Sequence, residues 1–174
     1  MCNFQSEINS TYSMIGATLS YLQTVERVFC FVTTYVIQDG DDLSFEGLQA
    51  LNKKEKKKAL GYFMRQLRGR SALLPSFDAL LSSFLSMRND FVHSHDQIPG
   101  WDVNTEGGRL IAHQFMSTLL QQAHKINEIL IALVMRWQQD VGIETPKFQE
   151  DQFFINAYQQ YGNLVDTFFN AKDT

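Results

Sequence analysis

Apolar residues in this chain recur at intervals of three and four along nearly its whole length, while alternation at intervals of two is almost absent. Only an α-helix lays such positions along one face, so the pattern leaves little besides a fold of packed helices. Ile8, Tyr12, Ile15, Leu19, Leu22, Val25, Phe29, Val32 and Val36 mark a first long helix, which should stop at Asp39-Gly40 because glycine tolerates the positive φ of a helix end. Phe29-Cys30-Phe31-Val32 is apolar all round, so its later half should be buried on several sides. Three prolines and ten glycines in 174 residues are too few for the turn-dense layout of a sandwich or barrel.

Further along, Ser44 can cap a short helix over 45–51, and Asn52 with Glu55 has the capping-box arrangement for another start. Leu60, Phe63, Met64 and Leu67 then form a buried stripe, and residues 68–75 read as a connection. A helix from Ser76 carries Phe77, Leu80, Leu81, Phe84, Leu85 and Phe91, and Ile98-Pro99-Gly100 must close it. Ile111 to Val141 spaces apolar residues over a helix of about 35 residues, ~50 Å long, ended by Gly142. A last helix spans 151–170. The expected fold is a single all-α domain over 1–174, an antiparallel bundle with a four-helix core and added short helices.

Charge and composition exclude several functions. The run Ile129 to Met135 ends at Arg136, far short of the ~20 apolar residues of a membrane span. Met1 to Glu7 has no basic segment and no small-residue cleavage site, so no secretory signal is expected. Cys2 and Cys30 form no CxxC pair, and a reducing cytoplasm is the expected location. The net charge of −4 argues against a general polyanion binder, yet residues 53–70 hold eight basic residues against Glu55 alone. Lys53, Lys54, Lys56, Lys57, Lys58, Arg65 and Arg68 could steer a phosphate backbone to one face, or simply form a solvated helix surface.

One segment concentrates chemistry. Met87 to His95 packs a permanent cation, a carboxamide, a carboxylate and two imidazoles into a helical pattern. Arg88 falls on the stripe 77, 81, 84, 88 and 91, where a guanidinium is costly unless it is paired or opens onto a polar cleft. Arg88 and His93 differ by ~500° around an ideal helix and so point ~140° apart; arginine's length or a helix break near Phe91 must close that gap. His95, seven residues on, returns to the face of Arg88. His113 and His124 lie off the apolar stripe and are expected in solvent. His93 and His95 could ligate a metal, but no further Cys/His cluster completes a site, so no metal or cofactor is expected. No P-loop or nucleophile elbow occurs, and Gly107-Gly108 reads as a helix start.

Arg88-Asn89-x3-His93 resembles the R-x(4–6)-H signature of HEPN domains, in which a polar residue commonly follows the arginine and the motif lies late in a long helix of an α bundle. The resemblance implies a metal-independent endoribonuclease of a toxin–antitoxin or abortive-infection system in bacterial antiviral defence. It implies a homodimer whose two motifs face an RNA cleft, restrained by an antitoxin or regulatory protein. The implied catalytic residues are Arg88, Asn89 and His93, with Asp90 and His95 as auxiliaries and His95, which satisfies the R-x6-H variant, as the alternative catalytic histidine. One branch of the family carries a tyrosine, modified by a nucleotidyltransferase antitoxin, where this chain has His95, so that modification is not expected. HEPN-like domains also occur as catalytically silent modules that bind nucleotide, RNA or a protein partner. A third expectation, weaker on chemistry, is a plain dimeric bundle docking through the aromatics Phe153 to Phe169.

Overall fold

The computed structural model describes residues 2–37, 46–47, 50, 53–54, 58–143 and 150–171. Helix α1 covers Cys2–Phe31 and passes into a π-helical turn over Val32–Val36. Helix α2 (Leu60–Arg70) leads into strand β1 (Ser71–Leu73), then α3 (Pro75–His93) and a 3₁₀ turn, His95–Gln97. The long α4 (Glu106–Asp140) is followed by α5 (Gln152–Tyr161), a 3₁₀ turn over Gly162–Leu164, α6 (Val165–Phe168) and strand β2 (Phe169–Ala171). The fold is all-α. Among the described residues the one strand pairing is a three-residue antiparallel ribbon with Ser71 opposite Ala171 and Leu73 opposite Phe169.

Helix α4 forms the centre because its apolar stripe is wide. Ala112, Met116, Leu119, Ala123, Ile126, Ile129 and Leu130 are all buried, and the alanines let neighbouring helices approach. Thr105 caps it by accepting from Gly108 N–H at 3.2 Å, Glu106 complements the dipole in its first turn, and Gly142 ends it at φ 71°. Phe77, Leu81 and Phe84 of α3 and Leu22, Val25 and Phe29 of α1 pack into the same core, each contributing roughly 1.5–3 kcal/mol through burial.

The antiparallel arrangement holds where connections are short. Arg68 meets Asp78 and Gly61 faces Leu85, so α2 and α3 run oppositely; Gln122 bonds Ser83 at 3.0 Å while Phe115 borders the same hollow as Asp90, so α3 and α4 do too. Helices α1 and α4 instead run side by side in the same sense, linked by Glu7–Arg109, Thr11–His113, Tyr21–His124 and Phe31–Trp137.

Boundaries differ from expectation in five places. Helix α2 starts at Leu60 after an extended Ala59 (ψ 155°), although residues 53–54 are helical. Arg68 and Arg70 belong to α2, with β1 beginning directly after them. Helix α3 starts at Pro75, whose fixed φ suits the first helical position, and ends at His93 rather than at Pro99. The last helix breaks at Gly162, and the chain turns back as β2 to cover β1. The stop at Asp39-Gly40, the cap at Ser44 and the capping box at Asn52 and Glu55 lie outside the described residues.

Candidate active site

Phe77, Leu81, Phe84 and Phe91 of α3 are buried, and Arg88 sits among them with its side chain only 15% exposed. The burial is tolerated because α1 supplies a carboxylate. Arg88 Nε and Nη2 both donate to Glu26 Oε1, at 2.8 and 2.6 Å. That side-on pairing leaves Nη1 directed elsewhere. It donates to Asn89 Oδ1 at 3.2 Å and lies 3.3 Å from His93 Nε2.

The expected 140° divergence is closed by the length of the arginine, because α3 continues unbroken through Phe91 to His93. A guanidinium N–H can only donate, so the contact requires His93 Nε2 to present its lone pair and the ring proton to sit on Nδ1. Asn89 and His93 are exposed, and so is Asp90. One buried anchor therefore carries an outward group of carboxamide, guanidinium edge and imidazole. Such a group can hold a phosphoryl oxygen, accept a proton and stabilise developing negative charge.

His95 opens the 3₁₀ turn and sets its ring 5.8 Å from that of Trp101. Trp101 also meets Phe91 and Phe115, at 6.1 Å each, so the aromatic cluster braces the end of α3. Asp90 borders a second hollow with Ser94, Gln97, Ile98, Pro99 and Phe115.

Of the basic strip, Lys53, Lys54, Lys58 and Arg65 are exposed, and Lys56 and Lys57 lie outside the described residues. Arg68 is committed to Asp78 at 2.5 Å and to Ser82 Oγ at 2.6 Å. Arg70 donates to the carbonyls of Thr33 and Ile37 at 2.6 and 3.0 Å, fastening the π turn. These two arginines hold the fold together.

The expectation of a solvated His113 needs correction. It is half-buried with Nε2 3.0 Å from the buried Thr11 Oγ1, whereas His124 is exposed as expected and bonds Tyr21 Oη through Nδ1 at 3.0 Å and Glu128 through Nε2 at 3.3 Å. Burial, reinforced by Glu128, raises the Tyr21 phenol above 10.0 against the opposing hydrogen bond with Asn127. Among the described residues, no three His, Cys, Asp or Glu side chains gather as a metal site, and no helix is long and apolar enough to cross a membrane.

Sequence reasoning missed Glu26. Its signal was present: Glu7, Glu26 and Arg27 are the only charged residues in the first 37, and Glu26 follows Leu22 and Val25 on the apolar face. No protein-family model, curated protein or solved structure matches the chain.

Proposed function

We propose that this chain is a metal-independent endoribonuclease of HEPN type, acting in the cytoplasm as a toxin or phage-defence effector under an antitoxin or other regulatory protein. The observation that supports it is the approach of Arg88 Nη1 to His93 Nε2 at 3.3 Å on an open surface, with Asn89 beside them. RNA brings its own nucleophile, the 2′-OH. His93 would accept that proton while the oxygen attacks phosphorus, and Arg88 would hold a non-bridging oxygen as charge builds. The 5′-oxygen leaves with the proton that His93 gained in the first transfer, and a second copy of the chain would close the cleft over the RNA. The products carry 2′,3′-cyclic phosphate and 5′-OH ends.

One observation favours a second reading. Glu26 already neutralises Arg88, which suits a silent module binding nucleotide, RNA or protein. Incubating RNA with wild type, Arg88→Ala and His93→Ala in EDTA separates the two. Chelator-resistant cleavage lost in both variants supports the nuclease. Cleavage abolished by EDTA assigns the chemistry to a metal, and absence of cleavage by folded wild type favours the module.

A further inference from the structure

Next to the Arg88 group, a cleft of about 410 Å³ opens between the end of α1 and the start of α2, within the ~300–1,000 Å³ range of small-molecule sites. Its walls include Glu26, Arg27, Phe31, Tyr35 and Lys58. Glu26 is the carboxylate that grips Arg88, so the cleft and the Arg88–His93 pair share one residue.

Three features define what would fill it. Phe31 is 38% exposed although its neighbours Phe29, Cys30 and Val32 are buried; Trp137 meets its ring edge-on at 6.3 Å, and the exposed remainder borders the cleft. The Phe31 ring lies 4.9 Å from that of Tyr35, tilted by 40°, making a two-ring wall. Arg27 and Lys58 are exposed cations on the same cleft, with Lys58 Nζ 5.5 Å from the Tyr62 ring. The wall is held from behind, because Arg70 ties the Thr33 and Ile37 carbonyls of the π turn that carries Tyr35. Such turns recur at functional sites.

Aromatic faces stack unpaired bases whatever their identity, and cations neutralise the backbone that carries them. An aliphatic ligand has no use for the two cations, and inorganic polyphosphate has none for the rings. We propose that this cleft is a base-stacking subsite for single-stranded RNA, seating the base next to the phosphate offered to Arg88 and His93. The placement rests on the nuclease reading; occupancy by an unpaired base does not.

The test uses His93→Ala protein, to prevent cleavage, and a labelled RNA hexanucleotide followed by anisotropy. Phe31→Leu should weaken binding by roughly 5- to 150-fold, the factor for losing one stacked base. Lys58→Glu, an exposed change that spares folding, should weaken it and flatten its salt dependence. A hexamer duplex should bind more weakly than the single strand. AMP alone should bind far more weakly than the hexamer; equal affinity would make the occupant a free nucleotide and overturn the RNA subsite. Unchanged affinity in folded Phe31→Leu, or equal affinity for duplex, would also overturn it. In cleavage assays, Phe31→Leu should raise KM with little change in kcat. Binding as described without cleavage by wild type would keep the subsite and remove the nuclease; cleavage with KM untouched by Phe31→Leu would do the reverse.

Discussion

Two adjacent glycines at the start of α4 should respond to the same substitution with opposite signs. On helix propensity alone, Gly→Ala is stabilising, by up to about 1 kcal/mol in a helix interior and less in the first turn. At Gly107 a Cβ would meet nothing within 4 Å, so Gly107→Ala should gain about 0.5 kcal/mol. At Gly108 the same atom would overlap the Asp102 carbonyl oxygen and lie 2.6 Å from its backbone nitrogen. Backbone cannot rotate aside as a side-chain tip can, so the loop or the helix must move. That movement strains the Thr105 cap on Gly108 and the bond from Asn104 N–H to Asp102 Oδ1, at 3.2 and 2.9 Å. Each contributes about 1 kcal/mol, and forced repacking adds about 1–3 kcal/mol.

The net cost of Gly108→Ala is then about 3 kcal/mol, or a Tm about 6–12 °C lower for a domain of this size. Gly107→Ala should melt about 1–2 °C above wild type. Thermal melts by circular dichroism measure both. Because the displaced loop carries Trp101, packed on Phe91 and His95, tryptophan emission should shift in Gly108→Ala and stay fixed in Gly107→Ala. A Gly108→Ala protein melting at or above Gly107→Ala would refute the close approach of the loop to α4, and with it the bracing of the α3 end.

Glu7→Ala should lower Tm by about 2–8 °C, since it strips the carboxylate from Arg109, whose side chain is 7% exposed, while the 48% exposure of Glu7 limits the loss to roughly 1–2 kcal/mol; a Tm within 1 °C of wild type would count against this. Burial raises both Tyr21 and Tyr161 above 10.0, assisted by Glu128. The folded state thus keeps protons that the unfolded chain releases, so this stabilisation is complete below pH 10 and fades as pH climbs through the raised values. Urea melts of Tyr21→Phe between pH 9 and 11 should show a shallower decline than wild type, and equal slopes would refute it. Glu26→Gln removes the charge that neutralises Arg88, so RNA should bind more tightly, with a log–log salt slope steeper by about 0.7; an unchanged slope would mean that Arg88 meets no phosphate.

The helices were legible because a period near 3.6 persists through tens of residues, and the length of α4 followed from it directly. The ribbon of Ser71–Leu73 with Phe169–Ala171 was not, since three residues cannot display a period of two and their pairing spans most of the chain. Nor was the parallel course of α1 and α4, because stripe periodicity carries no information about direction. The exposure of Phe31 escaped notice for a related reason: an all-apolar run says that every side can be buried, not that every side has a neighbour. Arg88 shows how much charge adds where pattern stops. Its place on a stripe otherwise made of Phe77, Leu81, Phe84 and Phe91 demanded a counter-charge. A motif search confined to residues 87–95 could not supply that partner, which lies 62 positions away in sequence. Asking which carboxylate sits equally out of place leads to Glu26, beside Val25 and one turn after Leu22. Two charges set among apolar positions specify a partner for each other, so α1 and α3, both packed on α4, are linked by the pair that also leaves Arg88 Nη1 toward His93.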